Sequence, residues 1–126
     1  TSASYFPANW APIVAADRFD FITGDREIVP GISVRLTPGH TPYHQSVILQ
    51  SGGETACFLG DVVPTSHHLP LPWIMGYDVE PLVTLESKRA LLADALRDDW
   101  LLIFEHDATV GFGRVMHDGK SYRLAE

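Results

Sequence analysis

Two histidines, His40 and His44, stand four residues apart in the stretch LTPGHTPYHQSVIL, Leu36 to Leu49. On a helix that spacing would stack both imidazoles on one face, as a zinc-binding helix does. Thr41-Pro42 forbids the helix, because a residue before proline is pushed out of the α region and proline cannot donate the helical hydrogen bond. The two rings therefore point different ways, and their roles separate. Three polar residues stand at the ends of apolar runs: His40 follows ISVRL through Thr37-Pro38-Gly39, Asp61 closes CFLGD, and His106 closes LLIFEH. Open α/β sheets collect functional groups at strand ends. Two neutral imidazoles and a carboxylate suit Zn²⁺ and, less selectively, Fe or Mn. The alternative for the same residues is structural, with the histidines bonded to loop carbonyls and Asp61 capping a turn.

The other candidates are weaker. His44 leads into QSVIL and is read as tying down a loop or supporting a neighbouring ligand. His67 and His68 are adjacent, so their side chains diverge and suit surface positions better than one ion. His117 precedes Asp118-Gly119 and reads as an exposed turn residue. Cys57, the single cysteine, lies mid-run in TACFLGD, where burial makes a thiol inert packing rather than a nucleophile. Neither a GxSxG elbow nor a GxxxxGK phosphate loop occurs.

Elements that could position such a site follow from pattern. FDFI before Gly24-Asp25, ISVRL after Pro30-Gly31, QSVILQ before Gly52-Gly53, and TACFLG read as strands of one sheet. ISVRL alternates, with Ile32, Val34 and Leu36 on one face, whereas SVIL and CFL are continuous and read as covered on both faces. Gly52-Gly53 predicts an antiparallel hairpin. The stretch from Pro81 to about Asp98 reads as a helix with Pro81 in its first turn, packing a stripe of Leu82, Leu85, Leu92 and Leu96 on the sheet. WLLIF, Trp100 to Phe104, follows as a buried strand, and GFGRVMHDGKSYRL as a hairpin turned by Asp118-Gly119. The proline-rich loop from Pro64 to Asp78 is too irregular for an element and too apolar for an idle connection, so it shapes a site or an interface.

Bulk properties bound the rest. The 126 residues, 45% hydrophobic and 20% charged, suit one domain or half-domain over residues 1–126. A net charge of −7, with nine scattered Lys and Arg, argues against nucleic acid as a partner. One cysteine does not demand an oxidising compartment. No apolar run approaches the roughly 18 to 20 residues needed to span a bilayer, and no signal-peptide pattern opens the chain, so no membrane partner is expected and the reading is soluble and cytoplasmic. The opening TSASYFPANW, without an initiator methionine, suggests a processed chain or a fragment.

TPGHTPYHQS, FLGDVVPT and IFEHD, in that order, resemble the later signature motifs of the metallo-β-lactamase-fold hydrolases, and HLPLPWIMGYD is similar to a branch described as metal-dependent hydrolases. The resemblance covers the C-terminal half of such a protein, from about Tyr5 onward. It implies an α/β (α+β) fold: half of an αββα sandwich, a mostly antiparallel or mixed sheet with one main helix packed on it. It implies a first-metal ligand at His40, a bridging ligand at Asp61 and a second-metal ligand at His106, in a site that commonly holds two zinc ions and hydrolyses a small-molecule substrate. His44 and Thr41 fall outside the ligand set, and Tyr43 stands where this branch has glycine, at the rim. The family's HxHxDH motif occurs nowhere in these residues. Each metal would then find only two protein ligands, against the three of a catalytic zinc, so the isolated chain is expected to bind zinc weakly. With one sheet face bare, it is also expected to dimerise or to pair with a separate N-terminal half.

Overall fold

In the computed structural model, which describes residues 5–125, seven strands lie side by side in chain order. β1 (Arg26–Val29), β2 (Ile32–Leu36), β3 (Gln45–Ser51) and β4 (Glu54–Phe58) form an antiparallel meander. β5 (Leu101–Ile103) joins β4 in parallel, and β6 (Phe112–His117) and β7 (Tyr122–Leu124) return antiparallel. Helix α1 (Pro7–Ala15) precedes the sheet, and α2 (Pro81–Arg97) lies between β4 and β5. A parallel neighbour can be reached only by a crossover, and the 17-residue α2 supplies it. No helix of the described residues is long and apolar enough to cross a membrane.

The core lies on one face of this sheet. Ile48, Cys57 and Leu102 are directly opposite one another on β3, β4 and β5, and with Leu91, Leu92 and Ala95 of α2 they belong to one buried cluster. Leu59, Val62, Val63 and Leu69, from the segment after β4, join it, as do Phe104 and Val115. The next residues along the same strands point to the other face. There Val47, Phe58 and Ile103 are half-buried, and their neighbour Phe112 is 68% exposed. SVIL and CFL are thus covered fully on one face only: Ser46 and Ile48 of β3 are buried while Val47 and Leu49 are not.

Two local expectations are corrected. FDFI is not a strand; Phe19 and Phe21 stack on each other at 5.4 Å, with Phe21 84% exposed. The first strand is REIV, because the Pro30-Gly31 turn delivers that segment directly beside β2. At Gly31, with φ +81°, a Cβ would come 2.7 Å from the Gln50 carbonyl oxygen. Of the expected α2 stripe only Leu92 is buried: Leu82 is 77% and Leu96 40% exposed, and Leu85 is half-buried. The buried stripe is Thr84, Lys88, Leu91, Leu92 and Ala95. Lys88 sits inside it because its ammonium donates to the carbonyls of Pro70, Leu71 and Trp73 at 2.7, 3.4 and 2.9 Å. Helix α1, PANWAPIVA, has no counterpart in the sequence reading; it carries Pro7 in its first turn and Pro12 inside, and it buries no residue.

Candidate metal centre

Strand direction gathers the three polar strand-end residues. β2 and β4 are each antiparallel to β3, and β5 is parallel to β4, so β2, β4 and β5 all end at one edge of the sheet. His40, Asp61 and His106 follow these three ends. His40 Nε2 lies 3.4 Å from Asp61 Oδ2, and His106 Nε2 lies 3.1 Å from Asp61 Oδ1. Each carboxylate oxygen of Asp61 therefore faces a different imidazole. The three residues share an open cavity of about 650 Å³ with Tyr5, Thr41, Tyr77 and Val79.

His40 is held by the turn before it. The N–H groups of Glu80 and Val79, just ahead of α2, donate to the carbonyls of Gly39 (2.8 Å) and His40 (3.2 Å), and Ser87 Oγ donates to Pro38 O at 2.7 Å. Gly39 has φ +132°, and a Cβ there would stand 2.2 Å from the Thr84 nitrogen, so only glycine lets the turn meet the helix this closely. On the far side of the ring, Nδ1 is 2.9 Å from Asp78 Oδ1. Both ring nitrogens face a carboxylate, and Asp78 is the nearer, 2.9 Å against 3.4 Å, which favours the proton on Nδ1 and leaves Nε2, beside Asp61, as the nitrogen free to bind.

Asp61 lies in a short 3₁₀ turn, Gly60–Val62, and its backbone N–H donates to His44 Nε2 at 2.9 Å. Because Nε2 accepts, the His44 proton sits on Nδ1, which is 2.8 Å from Thr37 Oγ1 and 3.1 Å from Thr37 O. Burial pushes the His44 pKa down, opposed by the charge of Asp61, in keeping with a neutral ring. His106 is set by its N–H, which donates to Pro64 O at 3.0 Å. Asp107 beside it accepts from Ser66 Oγ (2.6 Å) and from the N–H groups of Ser66, Thr109 and Val110. Those bonds, the Ser66 hydroxyl first, hold its carboxyl well below the usual carboxylate range.

Two residues of the site, Glu105 and Asp78, carry no role in the sequence reading, although they stand in IFEHD and HLPLPWIMGYD. Glu105 groups with Asp61 and His106, their ligand atoms within 4.8 Å of one another. Asp78 is 38 residues from His40, the ring it meets. Glu105 did carry a signal, an acid adjoining a strand-end histidine. Of the residues placed around the site, Thr41 lines the cavity, whereas Tyr43 is 85% exposed and does not. His67 is exposed, and His68 Nδ1 pairs with Thr65 Oγ1 at 2.7 Å. Cys57 is fully buried, which pushes its thiol up to about 12. A second cavity of about 360 Å³ joins His106 and Tyr77 to Pro64, His68, Ile74 and Met75.

The family model described as the metallo-beta-lactamase superfamily matches residues 4–113. The chain belongs to that superfamily. Over 92 residues it is 30% identical to an N-acyl homoserine lactonase of Bacillus sp., a match covering 71% of this chain and 36% of the lactonase. Among solved structures it is similar to AbOPH, a hydrolase in the beta-lactamase superfamily, with a TM-score of 0.78 and 30% identity over 90% of this chain and 40% of that one. A probable metal-dependent hydrolase from Staphylococcus aureus superposes with a TM-score of 0.77 and 25% identity, over 88% of this chain and 41% of that one. The chain thus spans about two fifths or less of the length of these superfamily members. The Staphylococcus aureus protein is described as metal-dependent, and the residues at the sheet edge of this chain fit a metal: two Nε2 atoms and the two oxygens of one carboxylate are borderline donors suited to zinc.

Proposed function

We propose that this chain contributes the His40, Asp61 and His106 half of a two-metal hydrolase centre, with Asp61 shared between the ions, His40 on the first and His106, with Glu105 in reach, on the second. The observation that carries this reading is the split of Asp61, one oxygen 3.4 Å from His40 Nε2 and the other 3.1 Å from His106 Nε2. Zinc bound there would lower the pKa of its water to about 7 and polarise a carbonyl or phosphoryl group. The residues of this chain hold the donors: Asp78 backs His40, His44 fixes the Asp61 backbone, and the Pro64 carbonyl fixes His106. The cavity joining His106 to Ile74 and Met75 suits the apolar part of a small ester or lactone, in line with the lactonase among its relatives. The remaining ligands, absent with the HxHxDH motif, come from a separate N-terminal segment or, in a dimer, from the donors of the second copy. A single buried cysteine is in keeping with a cytoplasmic setting.

Zinc titration by calorimetry tests this reading. The chain alone is expected to bind zinc weakly and to lose it on dialysis, with His40→Ala and Asp61→Asn each removing the remaining signal. Binding unchanged by both substitutions would sink the reading. A second reading, a half-domain that associates without catalysis, is favoured by the half-open sheet face around Val47, Phe58 and Ile103. Hydrolysis of an N-acyl homoserine lactone by the chain, restored by an added HxHxDH-bearing segment, would decide against it.

A further inference from the structure

Asp78 lies at a place its own hydrogen-bond needs do not explain. Its side chain is 1% exposed, Oδ1 meets His40 Nδ1 at 2.9 Å, and Oδ2 is buried with no hydrogen-bond partner among the described residues. Leaving a buried acceptor unpaired is costly, more so when the group is charged. What fixes Asp78 there is the loop that carries it. That loop is fastened to α2 from inside by Lys88, which is fully buried and donates to Pro70 O, Leu71 O and Trp73 O. An ammonium has three protons and no acceptor. All three of Lys88's are committed to loop carbonyls, so Lys88 acts on Asp78 as a nearby counter-charge rather than as a bonded partner. The Asp78 N–H donates to Met75 O at 3.2 Å, and the next N–H, from Val79, donates to His40 O at 3.2 Å, closing the loop onto the histidine.

We propose that Asp78 is a positioning residue that fixes His40 in the Nδ1–H tautomer with Nε2 turned to Asp61, and that Lys88 is the anchor holding the loop that carries Asp78. The consequence for zinc rests on the metal-centre reading above; the tautomer and the anchor do not. Neither residue touches the reacting atoms. Asp78 acts through His40 and Lys88 through the loop, so the first role must show in the ring of His40 and the second in the loop before any metal is added.

Long-range ¹H–¹⁵N imidazole spectra of the metal-free chain, at mildly alkaline pH and with His40 assigned through His40→Gln, read the tautomer directly. The wild-type ring is expected as Nδ1–H. Asp78→Ala is expected to turn it mainly to Nε2–H, and Asp78→Asn, which keeps an acceptor oxygen, to retain mostly Nδ1–H. Zinc affinity by calorimetry should fall about 10- to 100-fold in Asp78→Ala and less in Asp78→Asn. In Lys88→Met, amide exchange over residues 70–78 should quicken at least about tenfold while Leu91–Arg97 stays protected. A wild-type Nε2–H ring, or a tautomer indifferent to Asp78→Ala, overturns the role of Asp78. Unchanged loop exchange in Lys88→Met overturns that of Lys88. Should Asp78→Ala not fold, the wild-type and Asp78→Asn spectra still decide. If the tautomer responds but the wild-type chain takes up no zinc, the metal-centre reading fails and the positioning role stands.

Discussion

His44 Nε2 accepts the backbone N–H of Asp61 at 2.9 Å, so a histidine that faces no carboxylate oxygen of Asp61 sets where that carboxylate begins. Gly60, next to Asp61, has φ +59°, and a Cβ there would come 2.7 Å from the same nitrogen. The approach of ring to backbone is therefore close and specific. Replacing His44 with Phe keeps a ring and removes the acceptor. Zinc affinity is expected to fall about tenfold, with a stability loss of about 1–3 kcal/mol from the unpaired N–H. His44→Gln, which can still accept, should recover part of both. Calorimetry with zinc and urea unfolding of the two variants check this, and equal effects of Phe and Gln would refute it.

Gly39→Ala tests the clamp between the turn and α2. The added Cβ would meet Thr84 backbone at 2.2 to 2.4 Å, at a φ of +132° that an L side chain rarely adopts. Backbone strain and overpacking together are expected to cost on the order of 2–4 kcal/mol. Chemical denaturation should show it as a lower midpoint at unchanged slope. An unaltered midpoint would mean that the turn does not bear on the helix as described.

The strand-end rule was readable in the sequence because His40, Asp61 and His106 each follow an apolar run, and the mixed order of the sheet then brings the ends together. The face of α2 was not readable. Its central buried position is Lys88, and an apolar count discards lysine, although four-carbon stems pack well when the ammonium finds carbonyls. FDFI misled for the opposite reason: its propensity is real, but the sheet position beside β2 belongs to the segment next to the Pro30-Gly31 turn. Asp78 was invisible because its partner, His40, is 38 residues away in sequence and only the folded loop joins them. Helix α1 was hidden by its two prolines, and it has no buried face for periodicity to reveal.

Acid should weaken the tie between α2 and β2. Arg35 Nη1 lies 2.7 Å from Asp94 Oδ2, both half-buried. Burial works to raise the Asp94 carboxyl, but hydrogen bonds from Arg35 and Arg97 outweigh it and hold the carboxyl below its usual value of 3.8. A folded-state pKa below the unfolded one means the unfolded chain binds the proton more readily. The contribution is thus complete above about pH 4 and lost as pH falls through the depressed value. Asp94→Asn should cost about 1 kcal/mol at neutral pH and flatten the acid limb of the stability curve below pH 4. A limb of unchanged steepness would show that other carboxylates govern it.

The half-open face of the sheet carries the last prediction. Val47, Phe58 and Ile103 form a row across β3, β4 and β5, extended by Phe112 on β6, and none of the four is buried although all are large and apolar. The row behind it, Ile48, Cys57 and Leu102, is buried beneath α2. Helix α1 leaves Trp10, Ile13 and Val14 at least 41% exposed as well. Contiguous apolar patches beyond a few hundred Å² are uncommon on soluble monomers and drive association, and two identical faces can close on each other by a two-fold axis. The isolated chain is therefore expected to sediment and scatter light as a dimer at micromolar concentration. Phe112→Glu places a charge at the edge of the face without touching His40, Asp61 or His106, and should shift the equilibrium to monomer. An added N-terminal segment bearing HxHxDH should do the same by taking the face. A monodisperse wild-type monomer with a cooperative melt would refute the prediction, as would a dimer indifferent to Phe112→Glu, which would place the contact elsewhere, with α1 the next surface to probe.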